Sequence, residues 1–226
     1  TPAQVQAVTT FCTGLFQSAD GTDKEYVGHC IRYLGRIRTT SSEALEFMKN
    51  YLGQANHDLE TMRALGHMGY KGVKAQLKKK LLEGYNKSTG SVRVGKRYVT
   101  KTIEKWYPLR GVPMAAVALF AQGDAQAKAA LTHWLTYDQT EKAFVHKDGF
   151  IEAMREAPFV DPKAHKALLG LIKTAFLAAA RAAKTNDDAV QPARRAAIAL
   201  LQMGDTTGLP HLLEVLKGSD QDAVRD

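Results

Sequence analysis

The sequence predicts an all-α solenoid, a stack of helical hairpins, and three observations predict it. Ala64-Leu65 with Gly69, Ala118-Leu119 with Gly123 and Ala199-Leu200 with Gly204 each spell Ala-Leu-x-x-x-Gly. Leucine then recurs eight and twelve residues after each glycine, as Leu77 and Leu81, Leu131 and Leu135, and Leu212 and Leu216. An apolar helix that stops at glycine, followed by a helix with a four-residue leucine stripe, is a helical hairpin. Thirdly, Leu34-Gly35 and Leu65-Gly66 lie 31 residues apart, one period of a stacked helix pair.

Along the chain, Ala3–Ser18 and Lys24–Arg38 make the first hairpin, turning at Asp20-Gly21-Thr22. Thr40-Ser41-Ser42-Glu43 is a capping-box pattern opening a helix whose Leu45, Met48 and Leu52 recur at helical spacing before it closes at Gly53. Asp58–Met68 and Val73–Leu82 form the first clear copy of the repeated hairpin. The motif glycines are then 54 and 81 residues apart. The larger gap is two repeats of roughly 40 residues, its degenerate hairpin lying near Phe150–Met154 and Leu168–Ala183.

The smaller gap is a repeat plus an insertion near residues 87–107, and its composition is not helical. Ser91-Val92-Arg93-Val94 and Arg97-Tyr98-Val99-Thr100 are β-favouring runs joined by Gly95-Lys96, the residues of a type II′ turn. A protruding loop or β-ribbon is expected there, with its flanks a basic insertion over residues 86–110. Gly90-Ser91-Val92-Arg93-Val94-Gly95-Lys96-Arg97 approaches a phosphate-binding loop, but Arg97 stands where Ser or Thr must hold magnesium. A strand follows rather than a helix, so the turn is the better use of these residues.

The last copy, Ala193-Arg194-Arg195-Ala196 through Leu200 and Gly204-Asp205, continues with Leu209-Pro210-His211-Leu212 and the Asp220…Val224-Arg225 that opens another. Its Arg-x-x-Ala-x-x-x-Leu run, Gly-Asp corner and closing Asp-x-x-Val-Arg resemble HEAT repeats, in particular the short kind found in phycobilisome-lyase-like proteins. The resemblance is good over residues 191–226, fair over 58–85 and 112–138, and poor elsewhere. It implies an α-solenoid used for binding and does not imply lyase chemistry.

A repeat array buries its faces against neighbours, so residues 1–226 are expected to form one elongated solenoid domain rather than two compact ones. With 45% hydrophobic and 24% charged residues the composition is that of a folded protein. The longest apolar stretch, 164–183, is interrupted by His165, Lys166, Lys173 and Arg181, which argues against a membrane span. The chain starts at Thr1 and stops within what looks like the first turn of a further helix, Ser219–Asp226, so a fragment of a longer protein is expected. Cys12 and Cys30, the two cysteines, lie at similar heights on the expected first hairpin and could form a disulfide in an exported protein. In cytosol they would be small buried hydrophobes, and the sequence leaves both compartments open.

Charge is concentrated. Between Lys71 and Arg110 stand twelve basic residues against Glu83 and Glu104, in a chain whose net charge is +8. Candidate binding residues in this patch are Lys78, Lys79, Lys80, Lys87, Arg93, Lys96, Arg97, Lys101, Lys105 and Arg110, with Tyr85, Tyr98, Trp106 and Tyr107 interleaved. Such a patch steers an acidic protein surface or a nucleic acid. Trp134 and Asp138 stand one helical turn apart, and a basic solenoid carrying that pair resembles the alkylpurine DNA glycosylases built on this fold. The competing use of Trp134 is core packing, and of Asp138 a helix end.

No catalytic residue, metal site or cofactor is indicated. The histidines do not pair with each other or with cysteine at helical spacing, His67 and His211 fall inside repeat helices, and the carboxylates stand mostly at caps. The expected function is a non-enzymatic scaffold that presents an extended surface to a protein partner with an acidic face, within a larger assembly. Nucleic-acid binding, down to glycosylase-type activity, is the alternative.

Overall fold

In the computed structural model the described residues are 2–18, 24–54, 58–94, 97–138, 143–160 and 162–218. They form eleven α-helices: α1 (Pro2–Ser18), α2 (Lys24–Ile37), α3 (Ser42–Asn50), α4 (Asp58–His67), α5 (Lys74–Glu83), α6 (Val112–Ala121), α7 (Ala125–Leu135), α8 (Lys147–Glu156), α9 (Pro162–Ala182), α10 (Val190–Gln202) and α11 (Leu209–Gly218). Strands β1 (Tyr85–Val94) and β2 (Arg97–Trp106) form one antiparallel ribbon. Strands β3 (Tyr137–Asp138) and β4 (Ala143–Phe144) form a second, two-residue one.

The helices form two layers, as an α-solenoid requires. Helices α2, α4, α6, α8 and α10 stack each on the next, while odd-numbered helices pack behind them, α5 and α7 on α6 and α9 and α11 on α10. α6 is the centre of this stack and is buried all round, every residue from Val112 to Leu119 being inaccessible. The leucines of the repeated stripe, Leu77, Leu81, Leu131 and Leu135, sit in the core.

The recurring Ala-Leu-x-x-x-Gly is a helix-ending device. Gly69, Gly123 and Gly204 have φ of 74°, 80° and 84°, and the next residue's N–H returns to the carbonyl of the motif leucine. Tyr70 thus donates to Leu65 (2.9 Å), Asp124 to Leu119 (3.0 Å) and Asp205 to Leu200 (2.8 Å). This is the Schellman arrangement, which satisfies an otherwise orphaned carbonyl and reverses the chain for the next helix. In α2 the same closure, Thr39 N–H to Leu34 O at 3.1 Å, is made with Arg38 in the left-handed position at φ 51°.

The 31-residue spacing of Leu-Gly also has a structural meaning. Gly35 is buried where α2 crosses α4, and a Cβ there would stand 2.6 Å from Cα of Ala64, so only glycine allows this approach. The helices of the hairpins expected at 3–38 and 58–82 begin and end within a residue of expectation, whereas α9 begins at Pro162, ahead of Leu168, and α3 ends at Asn50, short of Gly53. α3 starts at Ser42 behind the Ser41 cap, whose hydroxyl accepts from Ala44 N–H at 3.3 Å. The turn expected at Asp20-Gly21-Thr22 and the tail after Gly218 lie outside the described residues.

The insertion is a β-ribbon whose strands are ten residues each, longer than the two short runs expected. The register pairs Tyr85 with Trp106 at the base and Val94 with Arg97 at the far end, and the turn expected at Gly95-Lys96 lies outside the described residues. Gly90 of the loop-like motif therefore lies within β1, opposite Lys101, and no helix follows.

Cys12 and Cys30 face each other between α1 and α2 as buried, unbonded thiols. Burial first, and then the hydrogen bond with Cys30, pushes the Cys12 thiol up to about 12.

Candidate functional site

The ribbon stands on its base. Tyr107 N–H donates to Gly84 O at 2.7 Å, Trp134 Nε1–H donates to Trp106 O at 2.7 Å, and the Trp106 ring, buried, packs on Tyr85 with centroids 4.6 Å apart. Tyr85 Oη–H also donates to Glu104 Oε1 at 2.9 Å. Of the four interleaved aromatics, Tyr98 (74% exposed) and Tyr107 remain accessible, while Trp106 and Tyr85 hold the ribbon to the body.

The ten predicted basic residues divide into three groups. Lys78 Nζ lies 2.7 and 2.6 Å from the two carboxylate oxygens of Asp124, and Lys80 pairs with Glu83 at 2.8 Å, so these two are engaged in ion pairs. Lys79, Lys87, Arg97, Lys105 and Arg110 are exposed, with Lys87 opposite Glu104 in the register. Arg93 and Lys101 hold register positions on β1 and β2 opposite Tyr98 and Gly90, and Lys96 lies outside the described residues.

Trp134 is fully inaccessible and spends its indole N–H on Trp106, so it is a core residue and presents no ring to a base. Asp138 pairs with Ala143 in the two-residue ribbon. The fold does bring together two histidines that sequence spacing separates. His133 and His146 have ring centroids 5.5 Å apart, with Tyr107 5.7 Å from His146. Burial, then the neighbouring His146 and Lys105, lower the His133 pKa. Burial and Lys105 lower that of His146 against the opposing pull of Asp148. Among the described residues no group of three or more His, Cys, Asp or Glu is placed to hold a metal ion.

A second basic surface lies on the layer of even-numbered helices, away from the predicted patch. Arg32 and Arg36 of α2, Arg63 of α4, Arg155 of α8 and Arg195 of α10 line one cavity of about 410 Å³. That α2 and α10, the ends of the stack, share a cavity means the layer curls on itself. Arg38 secures the curl, donating to the carbonyls of Phe159 (3.4 Å) and Val160 in the 3-10 turn that follows α8.

Within this cavity the charges fall into a paired set and an unpaired set. Arg63 Nε donates to Glu156 Oε1 at 3.0 Å and its NH1 to Glu60 Oε2 at 2.7 Å, while His67 Nε2 lies 3.0 Å from Glu156 Oε2. Burial alone would raise the Glu156 pKa, but the His67 and Arg63 contacts outweigh it and hold the carboxylate below its ordinary value. Arg155 pairs with Glu152. Arg36, in contrast, has only the Phe159 ring, 4.8 Å from its guanidinium carbon, and Arg195 has no carboxylate partner among the described residues. Arg32 is 3.8 Å from Glu60.

Sequence reasoning passed over these arginines because they are scattered singly over 164 positions, from Arg32 to Arg195. A signal was nevertheless present. After their first residues, α2, α4, α8 and α10 carry arginine and no lysine, whereas α3, α5, α7 and α9 carry mostly lysine. Arginine's planar fork suits pairing in a confined site, and lysine suits a solvated outer face.

Stacked helical pairs with a lined inner layer and a projecting ribbon define an α-solenoid of the kind that holds other molecules on its surfaces. Residues 192–218, most of α10 and all of α11, match the model of the PBS lyase HEAT-like repeat family. The repeat is therefore HEAT-like in sequence over that stretch, within an all-α, solenoid-like stack. No curated protein and no solved structure matches the chain. No described helix is long and apolar enough to cross a membrane.

Proposed function

We propose that the protein is a non-enzymatic scaffold that holds a protein partner with an acidic surface, contacting it through the β1–β2 ribbon. HEAT-like repeats generally mediate protein–protein interaction. The observation that carries the finer reading is Tyr98, 74% exposed, on a ribbon held to the body at its base, with exposed Lys87 on the same face and exposed Arg97, Val99 and Lys105 on the other. A large exposed aromatic on a ribbon that carries cations on both faces has little use in solution and is the composition of a contact surface. Full-length strand pairing fixes these side chains in register, so little ordering entropy opposes association. Lys87 and Lys105 add positive charge along the ribbon and steer an acidic face toward it, an effect that salt weakens.

The test is binding of poly-glutamate and of single- and double-stranded DNA and RNA across a salt series, comparing the protein with Lys87→Glu/Arg97→Glu/Lys105→Glu. Binding of the acidic polypeptide that falls about tenfold or more in the variant supports the scaffold reading. Tighter binding of nucleic acid that survives near physiological salt transfers the ribbon to nucleic acid, and equal binding by variant and wild type removes the ribbon as the contact.

A further inference from the structure

The arginine cavity on the inner layer is separate in residues and in scale from the ribbon. At about 410 Å³ it has the volume of a small-ligand site rather than of a protein interface. Its cations are all arginines, drawn from α2, α4, α8 and α10, and the carboxylates that line it, Glu152 and Glu156, are already committed to Arg155 and Arg63. Among the described residues Arg36 and Arg195 remain without a carboxylate, one from each end of the curled stack. We propose that this cavity binds a phosphate monoester, with Arg36 and Arg195 taking the phosphate oxygens from opposite sides.

The chemistry distinguishes this ligand from a simple carboxylate. One guanidinium fork satisfies the two coplanar oxygens of a carboxylate, whereas a phosphate offers three terminal oxygens in a tetrahedral arrangement and accepts forks from more than one direction. A dianion also matches two uncompensated cations. Phe159, Met154 and Ile198 line the same cavity and supply apolar surface for the organic part of the ester. The paired residues form its walls: Arg63 and His67 contact Glu156 and so tie α4 to α8, the helices that stand between α2 with Arg36 and α10 with Arg195.

The experiment is calorimetric titration of the protein with phenyl phosphate, benzoate, inorganic phosphate, and a phosphoserine peptide beside its unphosphorylated form, repeated with Arg36→Gln/Arg195→Gln and with Arg36→Lys. Neither arginine holds a structural carboxylate, so the double variant should melt with the wild type, and its thermal transition is recorded as a check on folding. The expected result is phenyl phosphate bound at least about tenfold more tightly than benzoate, a loss of about tenfold or more in the double variant, and partial loss in Arg36→Lys, which keeps charge but not the fork. Preference for the phosphopeptide over phenyl phosphate assigns the ester to a phosphorylated polypeptide, and the reverse assigns it to a small molecule. Equal binding of benzoate, binding of inorganic phosphate without the esters, or undiminished binding by the folded double variant would overturn the proposal. Lys87→Glu/Arg97→Glu/Lys105→Glu, which tests the ribbon, should leave phenyl phosphate binding unchanged, so the two proposals fail independently.

Discussion

Arg63 and Glu156 meet across 93 residues of sequence, Nε to Oε1 at 3.0 Å, and tie α4 to α8 on the inner layer of the solenoid. His67 Nε2 lies 3.0 Å from the second oxygen of the same carboxylate. A buried charge held from both sides is costly to disturb on one side alone.

Glu156→Gln should therefore destabilise the protein at neutral pH by about 2 kcal/mol. The pH dependence has a definite sign. The folded-state pKa of Glu156 lies below its ordinary 4.5, so its stabilisation is present above that value and is lost as pH falls through the lowered folded value. Denaturant melts across the acid range should show a shallower decline for Glu156→Gln than for the wild type. Parallel acid limbs would remove this carboxylate from the linkage.

Lys78 and Asp124 make the clearest separation between structural and binding charge in the predicted patch. Asp124 is the N-cap of α7, accepting from Gln126 and Ala127 N–H at 2.9 and 3.0 Å, and Lys78 grips the same carboxylate. Asp124→Ala should cost about 1–2 kcal/mol and Lys78→Ala about 0.5 kcal/mol. A double-mutant cycle by chemical denaturation checks the coupling, which should be measurable and no larger than about 1 kcal/mol.

Gly123 has open space around its Cα, so a methyl group there meets no neighbour and suffers only from the φ of 80°. Gly123→Ala should then cost about 1 kcal/mol, a purely conformational penalty. Arg38→Gly is the converse substitution, since it removes a similar strain at φ 51° but also the contacts with Phe159 and Val160. Thermal melting should show a net change smaller than that of Gly123→Ala, with faster amide exchange where α2 meets the turn that follows α8.

Cys12 and Cys30 should resist alkylation in the native protein and react once it is unfolded, as thiol counting with iodoacetamide near pH 8 would show. Burial keeps the proton on Cys12 in the folded state up to about 12, well above the ordinary thiol range. The stabilisation from the neutral buried thiol is therefore full below that ordinary range and declines as pH rises toward the folded value. Rapid labelling of both thiols without unfolding would contradict the burial.

The fold was legible because its determinants are local and repeated. A glycine that alone accepts φ near 80° without strain must follow the same leucine each time, and Leu65, Leu119 and Leu200 with their glycines could be matched by eye. The ribbon was legible as well, since alternating β-branched residues around Gly95-Lys96 state a two-residue turn, although its length was not. Strands reaching Tyr85 and Trp106 depend on the stacking of those rings and on Trp134, a tertiary contact with no trace in the ribbon's own sequence.

Which of these charges are free to bind was decided in part by tertiary structure. Lys80 pairs with Glu83 one turn on along α5, a contact legible in the sequence, but Lys78 pairs with Asp124, 46 residues away, while its neighbour Lys79 is exposed. The arginine cavity shows the same limit more strongly. Arg36 and Arg195 are 159 residues apart, and nothing near either one names the other. They share a cavity because the small residues at the α2–α4 crossing, Gly35 and Ala64, allow close stacking, and because the stack curls until its ends face. The sequence by itself determined the repeat, since backbone conformation and apolar periodicity are short-range properties. The tertiary structure decided the site, since the accumulated curvature of several stacked helices sets which distant side chains face one another.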